Sequence, residues 1–244
     1  LTCTSNCNDY STGSVHAWDE GVAFYTGTLA GTAAGGNSTG QLVYRLAEKR
    51  CANFGTCGIN GGETSGTSQV NHALFSLFAE GARLLERGKC ADVRPVVDQI
   101  VSLMTVPLVQ GTLRYAYKIG EVPLDRSQKN AAEGATFAAA VLPMVAACNA
   151  ASAATVSSNV KFGLFDAGTY PNYNAVLLAM EATYPCLGIT CAHVGSLSAS
   201  VAGFSAHPSC NDGSRPPIAG YIPGSDVREH NKIDLDQAAM EAAL

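Results

Sequence analysis

Four glutamates carry the chemical interest of this sequence. Glu20, Glu80, Glu133 and Glu181 each stand among residues that are small or apolar at helical spacing. An ionised carboxylate on an apolar face must be paired, protonated or bound to a metal. Carboxylates projecting inward from several helices are how helical proteins build iron and manganese sites. Hard cations prefer oxygen donors, and His or Tyr commonly completes the shell. His16 precedes Glu20 by one helical turn, the spacing at which one helix offers two ligands to one ion. Asp19 lies about 100° from Glu20 and can bridge to a neighbouring helix or satisfy the first turn. Glu20, Glu133, Glu181, Glu80, His16 and Asp19 are therefore the candidate metal ligands. Each also has an ordinary alternative, as an ion pair or a helix-end group. That alternative is strongest for Glu80, which has Arg83 and Arg87 at hand, whereas Glu133 has Lys129 one turn earlier.

The elements that must position these side chains are helices. Val15, Trp18, Val22, Tyr25 and Leu29 form one stripe of a helix that starts at Ser14 and ends near Gly31. Its other face holds His16, Glu20, Ala23 and Phe24, so the pattern predicts a helix buried on both sides. Further helices are expected over residues 41–51, from Thr67 or Ser68 to Gly88, and over 93–117, kinked or split at Pro107. A connection over 120–126 leads to a helix opening at Ser127. Residues 150–160 are ambiguous, 172–184 read as a short apolar helix, and 203–224 read as extended loop. A last helix is expected from Asp234 or Asp236 to Leu244.

Two echoes suggest a duplication. Glu20-Gly21-Val22-Ala23-Phe24 matches Glu133-Gly134-Ala135-Thr136-Phe137. Asn71, Glu80 and Cys90-Ala91-Asp92-Val93 match Asn172, Glu181 and Cys191-Ala192-His193-Val194 in the same order, which also sets His72 against Tyr173. The expected fold class is all-α: a duplicated helical bundle with long Gly- and Cys-containing loops, stapled by disulfides. One domain spans 1–244, with repeats at approximately 14–120 and 127–244. By the repeat, Cys51–Cys90 and Cys148–Cys191 are the expected pairs.

Bulk composition narrows the function classes. The chain has 244 residues, 47% hydrophobic and 14% charged, enough for a sizeable core. A net charge of −5 and the lack of a Lys/Arg run argue against nucleic acid. Nine cysteines without a Cys-x-x-Cys suggest an oxidising compartment rather than a zinc ribbon. Asn37-Ser38-Thr39 is a glycosylation sequon. The start at Leu1, without an apolar leader, is what a processed secreted protein would show. No membrane span is expected, because Glu133 and Pro143 interrupt the most apolar run. The sequence lacks the Gly-x-Ser-x-Gly, His-Glu-x-x-His, P-loop and dinucleotide motifs.

The strings Trp18-Asp19-Glu20-Gly21-Val22-Ala23-Phe24-Tyr25-Thr26-Gly27, Phe78-Ala79-Glu80-Gly81 and Ala132-Glu133-Gly134-Ala135-Thr136-Phe137 resemble the algal iron-assimilating proteins. These are secreted, cysteine-containing proteins of the cell surface or periplasmic space. The resemblance implies ferric-iron binding (one or two Fe3+ ions) and delivery rather than catalysis. The implied partners are iron itself and a membrane iron transporter or a transferrin-like surface protein. Two other readings stay open: a structural cell-wall protein with salt-bridged glutamates, and a di-metal carboxylate oxidase such as a ferroxidase.

Overall fold

The computed structural model describes residues 13–27, 40–197 and 210, all within one compact unit spanning 1–212. Nine α-helices occur among them: α1 (Ser14–Thr26), α2 (Val43–Phe54), α3 (Gln69–Glu86), α4 (Val93–Gly120), α5 (Gln128–Cys148), α6 (Ala150–Val160), α7 (Tyr173–Glu181), α8 (Tyr184–Leu187) and α9 (Cys191–Val194). No strand is present among the described residues, only isolated bridges from Cys57 to Glu63 and Ser68. The all-α expectation holds. Leu29, the sequon at Asn37 and the helix expected at 234–244 lie outside the described residues.

The core is built around α4. Its first turns bury one stripe, Val93, Val96, Ile100 and Leu103, and leave Arg94, Asp98 and Val101 exposed, whereas from Thr105 to Ile119 buried residues sit on every side of the helix. A helix that is apolar all round must be surrounded. Here α2, α3, α5, α7 and α9 pack on it, while α1 lies on α2 and α3, and α6 bridges α5 and α7. Pro107 does not split α4: the helix runs through it, with the missing donor tolerated in the interior. By length and composition alone, the segment Cys90–Gly120 and helix α5 could each cross a membrane, contrary to the expectation from sequence. In the structure α4 is the core helix of the bundle.

Local chemistry sets the helix starts. Ser127 accepts from the Asn130 amide at 3.2 Å, Asn149 from the Ser152 amide at 3.0 Å and Asn172 from the Ala175 amide at 3.0 Å. The Asn149 cap makes the ambiguous 150–160 stretch a helix. Thr190 and His193 form a reciprocal capping pair on α9. The first helix begins as expected but ends at Thr26, with Gly27 at φ 59° turning the chain away.

Disulfides join Cys51 to Cys57, Cys148 to Cys186 and Cys191 to Cys210. Neither pair expected from the repeat is formed, although Cys90 is also disulfide-bonded. The loop after α2 turns straight back and sets Cys57 with its Cα 4.9 Å from that of Cys51. Likewise α8 brings Cys186 against the end of α5. Equal spacing in two halves carries no information about such local returns. In a chain-entropy account the loop of 38 residues stabilises by about 4 kcal/mol and the loop of 6 by about 2.

Glycine permits the closest helix contacts. A Cβ on Gly81 of α3 would sit 2.0 Å from the Trp18 ring, whose Nε1 donates to the Phe78 carbonyl at 3.0 Å. Alanine is ordinarily worth about 1 kcal/mol more than glycine inside a helix. Gly81→Ala should instead lower the unfolding free energy, by about 1–3 kcal/mol of overpacking. Urea midpoints with an unchanged slope would measure it. A rise in midpoint would show that Trp18 does not fix the α1–α3 distance.

Candidate functional site

The six ligands expected from sequence do not come together. His16, Asp19 and Glu20 lie on the exposed side of α1. His16 Nε2 is 3.4 Å from Glu20 Oε1, with both side chains at least half exposed. Phe24, on the same side, is 77% exposed. The expectation that α1 is buried on both faces is therefore overturned: Ala23 and Phe24 on the outer face are apolar in type, but both are exposed. Glu80 is bound by Arg83 one turn on, at the surface. Glu181 is buried at the end of α7. Glu133 is half-buried on α5. Among the described residues, no three His, Cys, Asp or Glu side chains converge as a metal site would require.

One of the four glutamates does face a cavity. A space of about 590 Å³ lies between α2 and α5, lined by Glu133, Lys129 and Phe137 of α5, Tyr115 of α4, and Arg45, Lys49 and Arg50 of α2. The Tyr115 hydroxyl donates to Glu133 Oε2, and Lys129 Nζ is 3.9 Å from Oε1. Two glycines make this meeting possible. A Cβ on Gly134 would lie 2.9 Å from Tyr115 Cβ, and one on Gly111 would enter the Phe137 ring at 2.6 Å. With both absent, α5 settles close on α4, and the Phe137 and Tyr115 rings stack 5.8 Å apart. The Gly that follows Glu133 is thus a packing device. So is the one after Glu80, whereas Gly21 after Glu20 faces open space.

The cavity wall is cationic in a chain of net negative charge. Arg50 is 8% exposed, and its Nε and Nη1 are buried with no hydrogen-bond partner among the described residues. Burial pushes its pKa down to about 10. The Arg114 guanidinium pushes the same way, and Glu133 opposes both. At neutral pH Arg50 therefore remains a charged group. Burial also lowers Arg114, again against the pull of Glu133. Sequence reading missed this cluster because no run of basic residues announces it. Three cations come from one face of α2, one from α5 and one from α4. The usable signal was Arg45, Lys49 and Arg50 on adjacent turns of a short helix.

A second polar centre, also missed, lies inside the first half. Glu48 is 6% exposed. Its Oε1 accepts from the Ser68 amide at 3.0 Å and from Asn71 Nδ2. Asn71 Nδ2 also donates to the Tyr44 carbonyl at 3.1 Å, and its Oδ1 accepts from the Tyr25 hydroxyl at 2.5 Å. This network ties α1, α2 and α3 together at the start of α3. It also explains Asn71, whose echo at Asn172 serves only as a helix cap. Burial raises the Tyr25 phenol far above its ordinary range, with Glu48 adding to it. Burial and then Glu181 do the same to Tyr173.

A family model described as low iron-inducible periplasmic protein matches residues 2–219. No curated protein and no solved structure matches the chain.

The raised phenols carry a definite pH sign. The fold prefers their neutral form, so this contribution to stability is intact below the ordinary tyrosine value of about 10 and is lost as pH rises above it. Of the nine tyrosines, Tyr25 and Tyr173 should stay protonated until the fold opens. Phenolate absorbance followed from pH 8 to 13 should show a phase that coincides with loss of helical circular dichroism. Reversible ionisation of all nine with the helices intact would contradict the buried network.

Proposed function

The chain belongs to the family of low iron-inducible periplasmic proteins, and from that premise we propose that it binds ferric iron outside the plasma membrane and passes it on for assimilation. Its localisation is accordingly periplasmic or secreted, in keeping with its disulfides. The observation that carries the iron reading is the pairing of Glu133 and Tyr115. A carboxylate and a phenol meet, hydrogen-bonded, on the wall of a cavity large enough to admit a ligated ion. Carboxylate and phenolate oxygens suit a hard trivalent cation, and such an ion lowers the phenol pKa as it binds. The proton that Tyr115 shares with Glu133 leaves for solvent, and both oxygens then face the metal.

This reading narrows the ligand set. Glu133 is retained and Tyr115 replaces the more distant glutamates. Glu80 is held by Arg83, and Glu181 sits inside the second half. The His16–Glu20 pair is a separate, exposed two-donor site on α1, suited to weaker capture. The protein acts as a carrier rather than an enzyme. A di-metal oxidase needs several carboxylates around one centre, whereas Glu20 and Glu80 lie at the surface, Glu181 is buried at the end of α7, and no three acidic, His or Cys side chains converge among the described residues. The receiving partner is a membrane iron transporter or a transferrin-like surface protein.

Purified protein loaded with ferric iron should show a visible phenolate-to-iron charge-transfer band. Tyr115→Phe should abolish the band, and Glu133→Gln should remove most of the bound iron. Glu20→Gln should leave the tight iron intact. Affinity should fall on acidification, since both donors bind only when deprotonated, and the iron-loaded protein should melt higher than the metal-free one. Full iron content in both cavity variants would remove the proposal. Ferrous oxidation over many equivalents would replace it with the oxidase reading.

A further inference from the structure

The cavity that offers Glu133 and Tyr115 to iron is otherwise hostile to a cation. Arg45, Lys49, Arg50 and Lys129 line it against a single carboxylate, and Arg114 stands behind Tyr115 with its guanidinium 5.1 Å from the ring centroid. A bare trivalent ion would meet net repulsion at close range in a partly dehydrated space. The described residues also supply too few donors. Ferric iron takes about six ligands, and two side chains leave most of that shell open.

Arg50 points to what resolves both problems. Leaving buried donors of a charged group without acceptors is destabilising, because water has been given up and nothing replaces it. Arg50, which lines the cavity, keeps Nε and Nη1 in that condition, buried behind its wall. A guanidinium presents its N–H groups as a flat fork that matches the two oxygens of a carboxylate or phosphate. Lys49 and Lys129 flank the opening as exposed point charges. They suit attraction and loose contact rather than a fixed geometry.

We infer that the α2–α5 cavity is a site for a multiply charged oxyanion, a polycarboxylate or a phosphate, with Arg50 as its buried anchor. On the iron reading above, the anion supplies the coordination positions that Glu133 and Tyr115 leave open. The cavity then takes iron as an anion complex. The volume of about 590 Å³ fits an anion of several carboxylates together with a metal ion.

The test begins without iron. Metal-free protein at low salt is titrated by calorimetry with citrate and, separately, with inorganic phosphate. Binding of either anion, weakened about tenfold or more by Arg50→Gln and severalfold by Lys49→Gln or by added salt, is the expected result. The arm with the tighter binding identifies the class. Arg50 is buried, so its variant is checked by circular dichroism, and the exposed Lys49→Gln and Lys129→Gln variants carry the test if it misfolds. No binding of either anion overturns the site. Binding that none of the three substitutions alters places the anion elsewhere and overturns it equally. Iron is then offered with and without the tighter anion. Equal iron uptake in both overturns the co-ligand role. Anion binding with no iron uptake at all sinks the iron reading while leaving the anion site standing.

Discussion

Everything in this bundle depends on how close its helices can come to α4. From Thr105 to Ile119 that helix is buried on every side, so it is stable only when enclosed, and enclosure needs neighbours at short range. Glycine grants that range at selected points. Gly111 on α4 receives the ring of Phe137, and Gly134 on α5 receives the Cβ of Tyr115. The same closeness that completes the core places the Tyr115 hydroxyl on Glu133. The chemistry at the cavity is therefore a by-product of packing, held in place by a contact far better determined than the polar groups alone would be.

The four glutamates that look alike in the sequence meet four different environments. Glu20 is in solvent beside His16, Glu80 is paired with Arg83, Glu133 is shared between Tyr115 and Lys129, and Glu181 is buried. A fifth carboxylate, Glu48, is also buried, its Oε1 accepting from the Ser68 amide and from Asn71, although it reads in the sequence as one more member of a charged helix face. Burial is a property of what arrives from elsewhere in the chain. A single helix pattern records only what that helix could accept.

That distinction marks what was legible. Helix positions followed from periodicity, and Ser127 and Asn172 stood where caps and boundaries were sought. The central helix was visible as a long apolar pattern, and only Pro107 misled, because a proline enclosed by packing need not break its helix. The outer face of α1 was misjudged: Ala23 and Phe24 are apolar in type yet exposed. The disulfides were misassigned because the Cys51–Cys57 return depends on the turns of one short loop, and the Cys148–Cys186 pair on how α6, α7 and α8 fold back on α5, neither of which spacing records. The cationic cavity was legible only as the basic residues of α2, Arg45, Lys49 and Arg50. Its residues are spread over α2, α4 and α5, and the chain as a whole is acidic.

The three crosslinks have a shared feature of placement. Cys51–Cys57 closes before α4 begins, and Cys148–Cys186 and Cys191–Cys210 both close after α5. None of the three spans the connection from α4 to α5, where Leu124 is 99% exposed in a single tight turn. A peptidase that nicks this turn would meet a chain whose two pieces these bridges do not join. Among the described contacts, what keeps them together is the packing of α5, α7 and α9 on α4, closest at the same glycine-permitted points. The cavity between α2 and α5 draws Arg50 from one piece and Glu133 from the other, so it would keep its shape after a nick only for as long as that packing holds.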